Sequence, residues 1–219
     1  MPRKTLLPPR CLAVFSPMAA NPDPDAALML RVQRGDDAAF SELVEKYKQP
    51  VMNLAYRMLR DATEAEDLAQ NAFIQAYKSA PRYAASAKFS TWLFTITRNL
   101  CLNEIRRRSR HPADSIDSSA TESEESAGRQ YEDVKAEQPT ETVLQHELEQ
   151  KVEQALAELP EPQRTAILLC RGDEMSYEEI AEVVGCTLSA TKSLIHRGRE
   201  ALKQKLKPYL RTGQWKPPK

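Results

Sequence analysis

The stretch SYEEIAEVVGCTLSATKSLIHRGREALKQKL, residues 176–206, predicts two helices joined by a tight turn. Ser176 and Glu179 have the spacing of a capping box, which marks the start of the first helix. A turn follows at Gly185–Cys186–Thr187, where Thr187 can cap the second helix. A short helix, a glycine turn and a second helix in this order are typical of a helix-turn-helix.

The second of these helices has two different faces. An inward face is predicted by residues that recur at steps of three and four: Leu188, Thr191, Ile195, Gly198 and Leu202. The opposite face is polar and basic, and we expect it to enter the major groove of DNA. It carries Ser189, Lys192, Ser193, His196 and Arg197. The alternative, two helices of an ordinary bundle, accounts less well for the basic residues that follow.

An earlier stretch, FSTWLFTITRNLCLNEIRRRSR at residues 89–110, also has two faces. An apolar stripe at helical spacing predicts the side that faces a core: Phe89, Leu93, Ile96 and Leu100. The second stripe carries a ring, amides and guanidiniums, which are groups that hold nucleic acid. It consists of Trp92, Thr95, Asn99, Asn103, Arg106 and Arg110. These residues alone leave an alternative equally open, in which the Trp belongs to the core and the arginines form a solvated helix end.

Charge is balanced over the whole chain and strongly uneven along it. The 219 residues include 31 basic and 31 acidic ones, so the net charge of zero indicates no particular partner. Residues 88–110 hold six basic residues and one acid, and residues 186–219 hold nine basic residues and one acid. Residues 111–140 between them hold eight acids and two bases. Two basic segments separated by an acidic one predict two anion-binding modules.

Composition narrows the fold class and the compartment. Four cysteines without paired spacing favour neither a disulfide framework nor a zinc site, and they suit a reducing cytoplasm. No apolar stretch approaches the roughly 20 residues of a membrane span. With only six glycines and many strong helix formers, we expect an all-α protein. No metal or cofactor site is predicted, and His196 is expected to contact a base or a phosphate.

Local signals divide the chain into segments. The first helix is predicted to be capped at Asp25 and to run to Gly35, and Pro50 is expected to kink or break the second. Thr63 and Glu66 have the spacing of another capping box. We expect two helical domains, at residues 25–110 and 141–210, joined by a flexible acidic linker at 111–140. Tails are predicted at 1–24 and 211–219, the first disordered, and Met1 and Met18 are both candidate starts.

The segments, in this order, resemble an extracytoplasmic-function (ECF) sigma factor of the sigma-70 family over roughly residues 25–210. DATEAEDLAQNAFIQAYKS is similar to the segment that docks on core RNA polymerase. FSTWLFTITRNLCLNEIRRRSR is similar to the part that melts and holds the −10 promoter element, and residues 159–202 resemble the domain that reads the −35 element. The resemblance implies a promoter-specificity subunit without catalysis, cofactor or small-molecule substrate. Its implied partners are bacterial core RNA polymerase, promoter DNA and an anti-sigma factor.

The resemblance also implies roles for single residues. The implied polymerase contacts are Asp67, Leu68, Gln70 and Phe73. The implied −10 contacts are Lys88, Trp92, Arg98, Asn99, Asn103 and Arg106. The implied −35 contacts are Thr187, Ser189, Lys192, Ser193, His196, Arg197 and Arg199. Gly198 departs from the family pattern, in which Ala is usual, at a helix-interior cost of about 1 kcal/mol.

Two other classes of function compete with this one. A two-domain helix-turn-helix regulator would share residues 176–206 but would need neither the docking segment nor the Trp–Asn–Arg stripe. A DNA-processing enzyme such as a recombinase would need a nucleophile or metal carboxylates in a structured pocket. The carboxylates of this chain fall mostly on solvated helices and in the linker, which disfavours that class.

Overall fold

The structure is a computed structural model that describes residues 23–110, 139–171 and 175–212. Within these residues it contains helices and no strand, so the predicted all-α class is confirmed. The N-terminal domain consists of α1 (Pro24–Val32), α2 (Asp37–Leu59), α3 (Ala62–Ser79), a 3-10 turn (Ala80–Arg82) and α4 (Phe89–Arg110). The C-terminal domain consists of α5 (Pro139–Ala157), α6 (Glu161–Arg171), α7 (Tyr177–Val184) and α8 (Leu188–Thr212). The predicted linker and both tails lie outside the described residues, except at their ends.

The first helix begins earlier than predicted, because Asp23 rather than Asp25 caps it. The Asp23 carboxylate accepts a hydrogen bond of 3.1 Å from the Asp25 backbone N–H, and Pro24 occupies the first turn, where it needs no donor. Asp25 is instead buried, and its carboxylate accepts from Lys46 Nζ at 2.6 Å and from the Tyr47 hydroxyl at 2.5 Å. The prediction of a cap at Asp25 was wrong because a second acid two residues earlier was available.

Of the two outcomes predicted at Pro50, a kink or a break, the break is wrong, because α2 runs through this residue without interruption. Residues on both sides of this proline are buried, among them Tyr47, Val51 and Leu54. A proline inside a helix costs roughly 3 kcal/mol, and burial of a large apolar side chain returns about 1.5–3 kcal/mol. Packing of α2 against α1, α3 and α4 therefore outweighs the local signal.

The start of α3 also differs from its local signal. Asp61 caps this helix by accepting a hydrogen bond of 3.0 Å from the Glu64 backbone N–H. Thr63 then lies inside the first turn, so the capping box predicted at Thr63 and Glu66 does not form. Asp is at least as good a cap as Thr, and it comes two residues earlier in the chain.

The helix-turn-helix forms as predicted from α7 and α8. Ser176 and Glu179 make both hydrogen bonds of the capping box, and Gly185 ends α7 with a φ of 76°. The Thr187 hydroxyl accepts a hydrogen bond of 3.2 Å from the Ala190 N–H and so caps α8. The predicted inward face is confirmed, because three of its residues are buried and two are half-buried.

Packing explains why position 198 is glycine, which the sequence alone did not show. A Cβ atom at this position would lie 2.4 Å from Cδ1 and 3.2 Å from Cγ1 of Ile167 on α6. Such distances lie well inside van der Waals contact, which is about 3.5–4.0 Å between carbon atoms. The missing side chain therefore allows α6 and α8 to pack closely.

The two domains pack against each other. Contacts join α4 to α7, and α2 to α5 and α6. The buried apolar residues of both domains form one continuous cluster, which includes Cys101 of α4 as a small core residue. None of the described helices has the length and apolar character that a membrane crossing requires.

Candidate polymerase and nucleic-acid interfaces

The basic end of α4, residues 103–110, presents amide and guanidinium groups on its surface. Asn99, Asn103, Arg106 and Arg110 are exposed on this helix. Asn103, Arg106, Arg107 and Arg110 line an open depression of about 300 Å³. Amides beside positive charge are suited to hold base edges and phosphates together.

Trp92 lies between the two alternatives that its sequence context left open. Its ring is half-buried and lies edge-on to Tyr83, with 5.0 Å between the ring centroids, and 5.9 Å from the Phe89 ring. Phe89 is fully buried, so Trp92 is anchored on the core of the N-terminal domain. The anchored ring keeps part of its surface accessible, as a base-stacking residue must.

Two of the predicted −10 residues contact the C-terminal domain. The Arg98 guanidinium donates to the Glu161 carboxylate at 3.0 and 3.2 Å and to the Val183 carbonyl at 3.4 Å. Lys88 Nζ lies 2.7 Å from Glu179 Oε1, and this contact raises the pKa of Lys88 above its usual value. In this arrangement both cations are paired with carboxylates of α6 and α7.

Glu104 organises a second set of charges that sequence reasoning missed. Its carboxylate accepts from Arg107 Nε at 2.8 Å and from Arg108 Nε at 3.0 Å. Hydrogen bonds from these two arginines, first from Arg107, hold the pKa of the Glu104 carboxyl below its usual range. Their spacing of three and four residues after the sole acid of residues 88–110 was the available signal.

The outer face of α8 carries five of the predicted −35 residues in exposed positions: Ser189, Lys192, Ser193, His196 and Arg197. Thr187 is exposed as well but uses its hydroxyl as the helix cap. Arg199 is exposed, and its Nη2 lies 3.2 Å from Cys170 Sγ. Within the described residues no group of three His, Cys, Asp or Glu side chains is arranged to hold a metal ion.

The predicted polymerase contacts on α3 separate into two sets. Asp67 and Gln70 are exposed, whereas Leu68 and Phe73 are buried in the core at 7% and 9% exposure. Two large side chains that were not predicted, Ile74 and Tyr77, are nearly half exposed at 47% and 46%. Their signal was the presence of apolar residues on more than one side of this helix.

Comparison with known proteins identifies both domains. Residues 43–111 match the family model described as Sigma-70 region 2, and residues 149–202 match Sigma-70, region 4. The chain is 40% identical over 188 residues to RNA polymerase sigma-H factor of Pseudomonas aeruginosa, which covers 85% of this chain and 96% of that protein. It is 37% identical over 179 residues to ECF RNA polymerase sigma factor SigW of Bacillus subtilis, which covers 81% and 94%.

A solved structure shows the same fold. The sigma factor RpoE from Bartonella quintana, determined in complex with the anti-sigma factor NepR, is similar with a TM-score of 0.58 and 28% sequence identity. The similarity covers 77% of this chain and 96% of that one. These findings do not favour the two-domain regulator. Both domains match sigma-70 models in the family's order, and the relatives match this chain over most of their own length. The chain therefore belongs to the extracytoplasmic-function sigma factors of the sigma-70 family.

Proposed function

We propose that this chain binds bacterial core RNA polymerase, directs it to specific promoters and opens the DNA there, without catalysis of its own. The observation that carries the proposal is the presence of two separate exposed polar and basic surfaces on one chain. One is the exposed polar face of α8, and the other is the amide and guanidinium surface at the end of α4. A subunit of this kind works with polymerase on DNA in the cytoplasm and needs no cofactor.

The face of α8 is the proposed reader of the −35 duplex. Lys192 and Arg197 supply charge for phosphates or guanine edges, and Ser189, Ser193 and His196 supply hydrogen-bonding groups. All five are exposed on one continuous helix whose opposite side is buried in the C-terminal core. Thr187 caps the start of the helix. Backbone N–H groups at a helix N-terminus commonly bind phosphate, so this end of α8 is suited to a phosphate contact.

The surface of α4 is the proposed holder of the melted −10 strand. Asn99 and Asn103 offer amide edges to unpaired bases, Trp92 offers part of a ring, and Arg106 neutralises phosphate. Extraction of a base from the stack costs a few kcal/mol, which stacking and hydrogen bonding to these groups would offset.

Lys88 and Arg98 can bind the −10 strand only after the two domains separate. Their present partners, Glu179 and Glu161, belong to the C-terminal domain. Binding of −10 DNA to these cations therefore requires α6 and α7 to leave α4, and phosphates then replace the carboxylates. Binding to polymerase and to promoter DNA would supply the energy for this separation.

Helix α3 is the proposed docking surface for core polymerase. Asp67 and Gln70 offer polar contacts, and the exposed parts of Ile74 and Tyr77 add apolar area on the same helix. Leu68 and Phe73 would act by holding α3 in place from the core. By analogy with the relative that was solved with an anti-sigma factor, a protein inhibitor is a further proposed partner of this chain.

The test is transcription with purified components. Core polymerase, the chain and a pool of bacterial promoter fragments should yield transcripts that start at defined sites only when the chain is present. The start sites should share a sequence about 10 and another about 35 base pairs upstream. Transcripts identical to those of core polymerase alone would contradict the proposal.

A further inference from the structure

The basic end of α4 separates into two pairs of arginines with different surroundings. Arg107 and Arg108 both donate to Glu104, Arg107 through two nitrogens at 2.8 and 2.9 Å and Arg108 through Nε at 3.0 Å. The Glu104 side chain is only 16% exposed, so its charge is directed at these two partners. Two guanidiniums therefore share this one carboxylate.

The start of α3 adds two further carboxylates to this cluster. Arg108 Nη2 lies 3.5 Å from Asp61 Oδ2 and 3.7 Å from Glu64 Oε1, and Arg107 Nη2 lies 3.7 Å from the same Glu64 atom. Three acids therefore surround the two arginines. Asp61 is at the same time the cap of α3, which places it firmly beside the end of α4.

The other pair, Arg106 and Arg110, has no such partners. In the part of the chain that the structure describes, neither makes an ion pair, and both are exposed. Both line the same depression as Asn103, the proposed base contact. Arg107 lines it too, but its guanidinium is held by Glu104. The charge available to a DNA strand thus lies next to the amide that would read it.

We propose that Glu104 is a specificity-determining residue for −10 recognition, because it withdraws Arg107 and Arg108 from phosphate binding and leaves Arg106 and Arg110 beside Asn103. Every additional free arginine adds affinity for any nucleic acid, whatever its sequence. What matters for promoter choice is the ratio of specific to non-specific binding. Neutralisation of two arginines out of four lowers the non-specific part and leaves the base contacts in place. This inference rests on the proposed −10 site.

The experiment compares two matched double variants of the full chain, Arg107→Gln with Arg108→Gln, and Arg106→Gln with Arg110→Gln. The probe is a dT oligonucleotide, whose dissociation constant is measured against salt concentration. Each phosphate contact contributes roughly 0.7 to the slope of the logarithmic plot for single strands. We expect replacement of Arg106 and Arg110 to reduce the slope by up to about 1.4. Replacement of Arg107 and Arg108 should leave the slope unchanged.

The outcomes separate this inference from the function on which it rests. Equal reductions of the slope by both pairs would overturn the role of Glu104 and leave the −10 site intact. If replacement of Arg106 and Arg110 did not reduce the slope, the proposed −10 site itself would be wrong.

A single substitution then tests Glu104 itself. Glu104→Gln should steepen the salt dependence by up to about 1.4, and addition of Arg107→Gln and Arg108→Gln should restore it. Glu104→Gln should also lower sequence preference, measured as the ratio of two affinities. One is the affinity for an oligonucleotide selected for binding to the wild-type chain, and the other is the affinity for dT. Glu66→Gln removes the same charge from an exposed position of α3 and serves as the control. An unchanged slope and preference in Glu104→Gln would overturn the inference.

Discussion

Arg98 of α4 donates hydrogen bonds to Glu161 at the start of α6, at distances of 3.0, 3.2 and 3.3 Å. The Arg98 side chain is only 12% exposed, so this ion pair is largely shielded from solvent. It joins a proposed −10 contact to the domain proposed to read the −35 element. The proposed function therefore requires a different arrangement of the two domains when both DNA elements are bound.

Removal of the two carboxylates of the C-terminal domain that pair with Arg98 and Lys88 should improve DNA binding by the free chain. Glu161→Gln combined with Glu179→Gln leaves Arg98 and Lys88 without ionic partners, while Gln at 179 retains the capping box. Contacts of this kind contribute about 1–2 kcal/mol together, which corresponds to a 5- to 30-fold gain in affinity for single-stranded DNA. The measurement is fluorescence anisotropy with a labelled oligonucleotide.

The matched control for that double variant is Glu178→Gln, which removes an exposed charge beside Glu179 on α7. It should change the affinity much less. If the control and the double variant gained equally, a general change of charge would explain the result, and the ion pairs would not compete with DNA.

The division of labour between the two surfaces predicts two different defects. Arg197→Ala should weaken binding of the polymerase complex to −35 duplex DNA by about 1–3 kcal/mol if Arg197 contacts a base. Asn103→Ala should leave duplex binding unchanged and impair formation of the open complex, because its amide serves only the melted strand. Duplex retention and permanganate reactivity of unpaired thymines measure the two steps separately. Identical duplex defects in both variants would refute the division.

Gly198→Ala should destabilise the protein although alanine favours helices. Helix propensity alone predicts a gain of about 1 kcal/mol, while overpacking of a buried position costs about 1–3 kcal/mol. The added Cβ atom would lie 2.4 Å from Ile167 Cδ1, so overpacking outweighs the gain in helix propensity. We expect a net loss of about 1 kcal/mol in the free energy of unfolding.

Urea unfolding of the single and double variants measures this loss. Ile167→Val removes the Cδ1 atom, so the double variant with Gly198→Ala should be more stable than the sum of the two single changes predicts. Additive losses would show that the two positions do not meet.

Tyr83 should make stability fall at high pH. Burial, together with the charges of Asp23 and Asp25, raises the pKa of Tyr83 to about 12. The unfolded chain therefore loses this proton more readily than the folded one. The stabilisation is complete below about pH 10, which is the ordinary tyrosine pKa, and is lost as the pH rises toward 12. The difference in tyrosinate absorbance between the wild-type chain and Tyr83→Phe should show one tyrosine that titrates near pH 12.

The same hydroxyl predicts a stabilising substitution. In the described part of the chain the Tyr83 hydroxyl is buried without a hydrogen-bond partner. An unsatisfied buried polar group costs about 1–3 kcal/mol, so Tyr83→Phe should raise the free energy of unfolding by about 1 kcal/mol. It should also remove the late titration. A loss of stability in Tyr83→Phe would indicate that the hydroxyl has a partner after all.

Local signals predicted those elements whose stability is itself local. The capping box at Ser176 and the turn at Gly185 depend on residues within four positions, and both form as expected. The cap at Asp25 and the box at Thr63 failed because other caps, Asp23 and Asp61, lie two residues upstream. Such competition between neighbouring caps amounts to fractions of a kcal/mol and is not visible in the pattern alone.

Long-range contacts account for the rest. The partner of Arg98 lies 63 residues away in the sequence, and its charge gives no indication that a carboxylate rather than a phosphate will face it. Continuation of α2 through Pro50 likewise depends on packing by the other helices of the N-terminal domain. The exposed residues of α8 followed from helical periodicity because one side of a single helix had to be buried.

The most direct test of the account is whether the purified chain forms a stable complex with bacterial core RNA polymerase on size-exclusion chromatography. Asp67→Arg reverses a charge on the proposed docking face of α3, and Glu66→Arg makes the same change at the neighbouring exposed position. We predict that the wild-type chain and Glu66→Arg elute with core polymerase and that Asp67→Arg does not. Failure of the wild-type chain to elute with core polymerase, together with clear duplex binding by the chain alone, would contradict the account.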